Sequence, residues 1–199
     1  MKIRKRVRHP HWDIENGSYF ITFNLFDAFP VEEQIRIENE RKAHIALIER
    51  ERGRMTPAEV VALKRVIRSE TEKVLDHGAG SCFLRDPRIA DVVANAITFF
   101  DELRYLLFAW TVMPNHVHMV LKLRERATID DIMHSIKGYT AQRANALLKR
   151  EGCFWQADYF DRSIRGRDHM ERAIRYVESN PLKAGLTDWG WVRAYWERF

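Results

Sequence analysis

The fold turns on one stretch, Tyr105-Leu106-Leu107-Phe108-Ala109-Trp110-Thr111-Val112-Met113-Pro114-Asn115-His116-Val117-His118-Met119-Val120-Leu121-Lys122-Leu123. Its first half, to Met113, is almost continuously apolar, as a strand covered on both faces should be. Pro114-Asn115 breaks it. The second half alternates: Val117, Met119, Leu121 and Leu123 point one way, and His116, His118, Val120 and Lys122 point the other. Both imidazoles then share one face, with Val117 in the core behind them.

Working outward, Ser18 to Phe26 is rich in aromatic and β-branched residues and follows Asn16-Gly17, so a strand is expected there. Phe154 to Ile164 is strand-like as well. Asp86-Pro87 opens a helix whose apolar positions are Ile89, Val92, Val93, Ala96, Ile97 and Phe100. Thr128 caps a long helix to about Arg150, with Ile132, Ile136, Ala144 and Leu147 on its inner side. Asp168 with Glu171 starts a last helix, with Met170, Ile174 and Val177 facing the core, and Pro181 stops it. Strands and helices interleave without the strict rhythm of a doubly wound sheet. The expectation is α+β, a central antiparallel sheet with helices on one or both faces.

Between the first strand and Asp86 the composition changes. Val31 to Arg52 is highly charged with a thin stripe of Ile35, Ile45 and Ile48. Thr56-Pro57-Ala58-Glu59 is a capping box with proline at the first helical position. Val60, Leu63, Ile67 and Val74 carry the second stripe, and Gly78 to Ser81 closes the pair. A helical hairpin inserted at about 31–78 follows, within one domain spanning 1–199 and preceded by a basic tail at 1–12.

The chain has 199 residues, a formal net charge of +5 and 46% hydrophobic residues. That is ample for a core and excludes a disordered chain. No run approaches the roughly 18 apolar residues of a membrane span. The N-terminus has no apolar segment of the signal-peptide kind, so a cytoplasmic location is expected. Cys82 and Cys153 form no CxxC; two buried free thiols are expected. Basic residues gather at Lys2 to Arg8 and at Arg162, Arg165 and Arg167, which suits a polyanionic partner.

Two constellations can carry chemistry. His116-Val117-His118 on a strand is a rigid two-imidazole platform for a metal ion, or else two histidines on an exposed sheet face. Tyr176 and Asn180, four apart on a helix, present a phenol and an amide side by side. Alternatively, Tyr176 is an amphipathic boundary residue and Asn180 a C-terminal cap.

Several stretches resemble the REP-associated tyrosine transposases of the HUH superfamily, related to IS200-like transposases. They are Ala109 to His118, Ser135 to Thr140, Phe154-Trp155-Gln156, Tyr159 to Arg165, and Tyr176 to Leu186. The resemblance covers roughly 17–26 and 87–191; the segment 31–75 lies outside the minimal pattern. It implies a ferredoxin-like fold and a divalent metal, Mg²⁺ or Mn²⁺, held by His116, His118 and Asn180. Imidazole ligands favour Mn²⁺ in affinity, and cellular availability favours Mg²⁺. Insertion-sequence relatives usually have glutamine where this chain has Asn180; both offer an amide oxygen. The nucleophile maps to Tyr176, because Tyr139 and Tyr159 are followed four residues on by Arg143 and Ser163. A phenol titrates near 10 unperturbed and needs help to attack a phosphate.

The implied activity is cleavage and joining of single-stranded DNA at or near hairpin repeats, through a 5′-phosphotyrosine. Lys137, Arg143, Arg162 and Arg165 are candidate phosphate contacts, and Trp155 a candidate platform for an unpaired base. A homodimer is left open. The rival readings are a domesticated relative that binds hairpin DNA without turnover, and a cupin-like metal hydrolase. The four site residues argue against the first, and the helical stretches against the second.

Overall fold

A computed structural model of the chain describes residues 2–5, 10–13 and 16–199; side chains of 1–15, 51, 52 and 68 lie outside that description. The chain divides into two compact units, Met1–Phe26 with Cys82–Phe199, and Asp27–Ser81.

In the larger unit, β1 (Lys2–Lys5) pairs antiparallel with β2 (Pro10–Asp13) in a small sheet of its own. This falls within the stretch read as a basic tail; Arg6 and Arg8 lie outside the described residues. The main sheet contains β3 (Ser18–Asn24), β4 (Tyr105–Val112), β5 (His116–Leu123), β6 (Phe160–Ile164) and β7 (Val192–Ala194) in the order β6-β3-β5-β4-β7, every neighbour antiparallel. With helices α3 (Pro87–Phe99) and α4 (Ile129–Leu148) as crossovers, β3-α3-β4-β5-α4-β6 is the ferredoxin-like arrangement. Helix α5 (Arg167–Lys183) and the edge strand β7 follow it.

The alternation along β5 assigns the faces. Tyr105, which shares a face with Leu121 and Leu123, donates its hydroxyl to the Ile97 carbonyl on α3. Phe23, on that face too, meets the ring of Trp155, whose Nε1 donates to Thr140 on α4. Helices α3 and α4 therefore cover this side. The other side is taken by α5, whose Met170, Ala173, Ile174 and Val177 pack on Phe20, Phe108, Ala109 and Val120. Burying each large apolar side chain contributes about 1.5–3 kcal/mol. Helix α5 thus owes its place to packing on the histidine-bearing face.

Several local expectations need correction. The segment 154–164 is extended strand only from Phe160; before it, Phe154 and Trp155 plug into the core and only Trp155 bridges to Leu25. Helix α5 starts after Gly166 with no side-chain cap, and Glu171 instead pairs with Arg175. Pro181 does not stop α5, which continues to Lys183; a single proline removes one N–H donor, and Ala184 still bonds back to Asn180. Leu147 is exposed, because Ile132, Ile136, Thr140 and Ala144 define a line that passes through position 148. Cys82 and Cys153 are free, but half-buried and exposed, respectively.

The smaller unit holds α1 (Val31–Arg52) and α2 (Pro57–Asp76). The Thr56–Glu59 capping box forms in both directions. Ile37, not Ile35, is buried on α1: it falls three turns from Ile48 on one line, whereas Ile35 points away. Gly80 has φ +84°, and a Cβ there would lie 2.5 Å from the Asp27 carbonyl oxygen. The neighbouring Ser81 N–H donates to Asp27 Oδ2 at 2.8 Å, closing the unit at its base.

Gly138 sits inside α4, exposed, with nothing within 4 Å of where a Cβ would stand. Alanine should therefore stabilise the helix by about 0.5–1 kcal/mol. Thermal unfolding of Gly138→Ala should show a midpoint raised by roughly 1–4 °C. An unchanged or lower midpoint would mean that the glycine serves a purpose in the folded chain.

Candidate active site

His116 and His118 lie on β5 facing α5, and each is only 1% exposed. Their rings are 4.6 Å apart and steeply inclined, and Nε2 of one is 3.1 Å from Nε2 of the other. The outer nitrogens are held from behind. His116 Nδ1 is 2.8 Å from Asn115 Oδ1, and His118 Nδ1 is 2.8 Å from Thr22 Oγ1. Thr22 stands directly opposite His118 in the β3–β5 register, as Thr111 does from β4. Burial pushes the His116 imidazole down to about 3, so it is neutral at ordinary pH, with a lone pair to offer.

Tyr176 reaches this pair from α5. Its ring meets His118 edge-on at 5.4 Å and Phe20 at 5.6 Å, and Phe20 in turn meets His118 at 5.3 Å. The phenolic oxygen is buried. Lys183 Nζ stands 5.2 Å from the Tyr176 ring centre. Arg162, opposite Phe20 on β6, holds its guanidinium 5.9 Å from the Phe20 ring. Two cationic side chains thus border the aromatic cluster that carries the phenol.

Asn180 lies one turn beyond Tyr176 and is fully buried, deeper than the edge position expected for it. Among the described residues, neither its amide oxygen nor its amide nitrogen has a hydrogen-bond partner. A buried amide left so costs about 1–3 kcal/mol, which a ligand that engages it would offset. A metal fits the remaining donors as well. Two imidazole nitrogens bound to one ion at about 2.1 Å in adjacent positions would stand roughly 3 Å apart, close to the separation found. Among the described residues, no three His, Cys, Asp or Glu side chains cluster as a metal site.

Of the other sequence candidates, Arg162 comes near the cluster, and Arg165 is exposed just beyond β6. Arg143 is exposed on α4, which covers the opposite face of the sheet. Lys137 Nζ donates to the carbonyls of Gln156, Ala157 and Asp158, using its three donors to pin α4 to that loop. Trp155 is buried at 6% exposure, wedged against Phe23 and Phe154, and cannot serve as an exposed stacking platform. Thr22, Asn115 and Lys183 received no role from the sequence. Asn115 borders the histidine motif, but Thr22 becomes visible only once the strand register is known.

Residues 86–180 match the family profile of the IS200-like transposases, a span holding His116, His118 and Tyr176 and ending at Asn180. Over that span the chain is similar to the IS200-like transposases. The ferredoxin-like sheet also aligns with the structure of a REP-associated tyrosine transposase bound to a REP hairpin. The TM-score is 0.50 at 16% identity, covering 94% of this chain and 82% of that one. A Deinococcus radiodurans r1 protein assigned as a transposase aligns at TM-score 0.38 and 16% identity, over 89% and 98% of the two chains. No curated protein matches the sequence. No helix among the described residues is long and apolar enough to cross a membrane.

Proposed function

We propose that this chain is a transposase, a metal-dependent endonuclease and strand transferase for single-stranded DNA, acting at or near hairpin repeats. The observation that carries the reading is the juxtaposition of Tyr176 with the facing His116–His118 pair, backed by the unsatisfied amide of Asn180. His116, His118 and Asn180 would hold Mg²⁺ or Mn²⁺, which when bound draws charge from the scissile phosphate and orients it. Tyr176 supplies the nucleophile. Its phenolic oxygen bonds to phosphorus, the bond from phosphorus to the 3′-oxygen breaks, and a proton returns to the leaving 3′-hydroxyl. The phenolic proton is lost, so protons balance. The 5′-phosphotyrosine keeps the phosphodiester energy, and attack by another 3′-hydroxyl rejoins DNA without ATP. Arg162 and Lys183 would neutralise backbone phosphates beside the phenol. Phe20 and Val177 hold Tyr176 in place from the apolar side.

The REP-associated relative is bound to a REP hairpin, and hairpin DNA is the partner proposed for this chain. Incubation with labelled single-stranded hairpin DNA and Mn²⁺ should yield a covalent protein–DNA adduct. Binding should favour the hairpin over blunt duplex and fall by orders of magnitude between about 50 and 200 mM salt, as counterions are released. Absence of the adduct with retained hairpin binding would support the non-catalytic alternative. Equal affinity for duplex, or no salt dependence, would remove the DNA reading.

A further inference from the structure

We infer that the far end of the inserted helical pair, residues 41–68, is a second DNA contact, one that takes the backbone phosphates of a paired stem. The inference rests on the DNA reading proposed above and extends it to the unit Asp27–Ser81, which has no part in the chemistry at Tyr176.

Charge is sorted along this unit. Helix α1 runs out to Arg52 and α2 returns from Pro57. Arg36, near the start of one, lies 3.8 Å from Glu70, near the end of the other. The helices are therefore antiparallel, and the turn at 53–56 is their far end. Residues 41–68 hold eight lysines and arginines against three glutamates. Residues 27–40 and 69–81 together hold two against eight aspartates and glutamates. The unit is thus nearly neutral overall yet opposite in sign at its two ends.

Pairing sharpens the contrast. At the acidic end, Arg36 meets Glu33 and Glu40 at 2.8 Å each, and Lys73 meets Glu70 at 2.8 Å. At the far end, Arg50, Arg54, Lys64 and Arg65 are exposed. Among the described residues, none of these four side chains has an ion-pair or hydrogen-bond partner. Like charges gathered at one end repel. Each one that neutralises a DNA phosphate also releases a condensed counterion, which favours binding.

Composition says which DNA this end can take. Residues 31–81 contain no Phe, Tyr or Trp, in a chain with 12% aromatic residues. Proteins that hold unpaired strands stack the bases on such rings, and this unit has none to offer. It offers cations on exposed helix surface, which match the phosphates of a paired stem. The acidic half repels the same backbone and confines the contact to the far end. Phosphate contacts carry no base information, so this end adds affinity for any stem and leaves the choice of sequence to other residues.

The test uses the full chain and two fourfold variants, each removing four positive charges. The first is Arg50→Gln with Arg54→Gln, Lys64→Gln and Arg65→Gln. The second takes four exposed cations from the larger unit: Arg85→Gln with Arg124→Gln, Arg126→Gln and Lys149→Gln. All eight side chains are exposed, so both variants should fold as wild type, with thermal midpoints close to it. Binding of a labelled DNA hairpin is followed by fluorescence anisotropy from about 0.1 to 1 M salt. Each lost phosphate contact takes roughly 0.9 from the slope of log affinity against log salt. The first variant should therefore bind about 50-fold or more weakly at 0.1 M, as two lost contacts suffice to give, and meet wild type near 1 M. The second should bind within about fivefold of wild type, since charges beyond about 10 Å from the DNA are screened at 0.1 M. On an unpaired oligo-dT strand the first variant should lose far less than on the hairpin. Equal affinity of the first variant and wild type overturns the inference. So do equal losses in the two variants, which would mean that overall charge acts and not the far end. A loss as large on oligo-dT as on the hairpin overturns the paired stem as the partner. A wild-type chain that binds no hairpin removes the DNA reading and this contact together, whereas wild-type binding that the first variant retains removes this contact alone.

Discussion

Tyr176→Phe should abolish covalent adduct formation and lower DNA cleavage by on the order of 10⁴-fold or more, the scale seen when a nucleophile is removed. The substitution takes away one oxygen and keeps the ring. Its edge contacts with His118 and Phe20 need only the ring, so the fold and hairpin affinity should stay near wild type. Tyr139→Phe and Tyr159→Phe are the controls. Tyr139 is exposed on α4, and Tyr159 is buried with its hydroxyl 2.5 Å from Asp130 Oδ1, on the α4 side. Both should cleave as wild type, although Tyr159→Phe should lose about 1–3 kcal/mol of stability with that charge-assisted bond. His116→Ala should also lose the adduct, by weakening metal binding, and a higher Mn²⁺ concentration should restore part of it. No Mn²⁺ concentration should restore Tyr176→Phe. A gel band of adduct from the Tyr176→Phe protein would mean that another phenol attacks.

Local pattern and long-range contact separate what was legible in the sequence from what was not. The bounds of β5 were legible because Val117, Met119, Leu121 and Leu123 alternate with His116 and His118, and one register alone buries the apolar set. The caps at Thr56, Asp86 and Thr128 were legible because capping depends on residues within four positions. Trp155 was misjudged because its burial depends on Phe23 and Thr140, brought to it by chain topology. Pro181 was misjudged in the other direction: a strong local preference gave way to packing, since Asn180 and Pro181 are both buried within α5. Thr22 could not be singled out at all. Its hydroxyl meets His118, a residue 96 positions away, and threonine in a strand is otherwise unremarked. The placement of the two imidazoles on one strand face was therefore visible in the sequence, and the threonine that bonds to one of them was not.

Asn180→Leu should make the metal-free chain more stable and the loaded chain weaker. The amide is fully buried and makes no hydrogen bond among the described residues, so replacing it with an apolar group of similar size removes a desolvation cost. A gain of about 1–3 kcal/mol follows, or roughly 2–4 °C per kcal/mol in the thermal midpoint. Mn²⁺ affinity should fall tenfold or more, and the adduct should be lost. Asn180→Gln keeps an amide on a longer arm and should retain metal binding. The capping role makes the opposite forecast, because loss of a cap costs stability with or without metal. Geometry favours the ligand role: Asn180 precedes the end of α5 by three residues, and Ala184 bonds to its backbone oxygen, which any residue supplies. Denaturation with and without Mn²⁺ decides between them. If leucine destabilises the metal-free chain, the amide has a structural partner and the three-ligand site is wrong. If leucine stabilises it while the metal no longer protects against unfolding, the unpaired amide is a strained feature kept for the metal it holds.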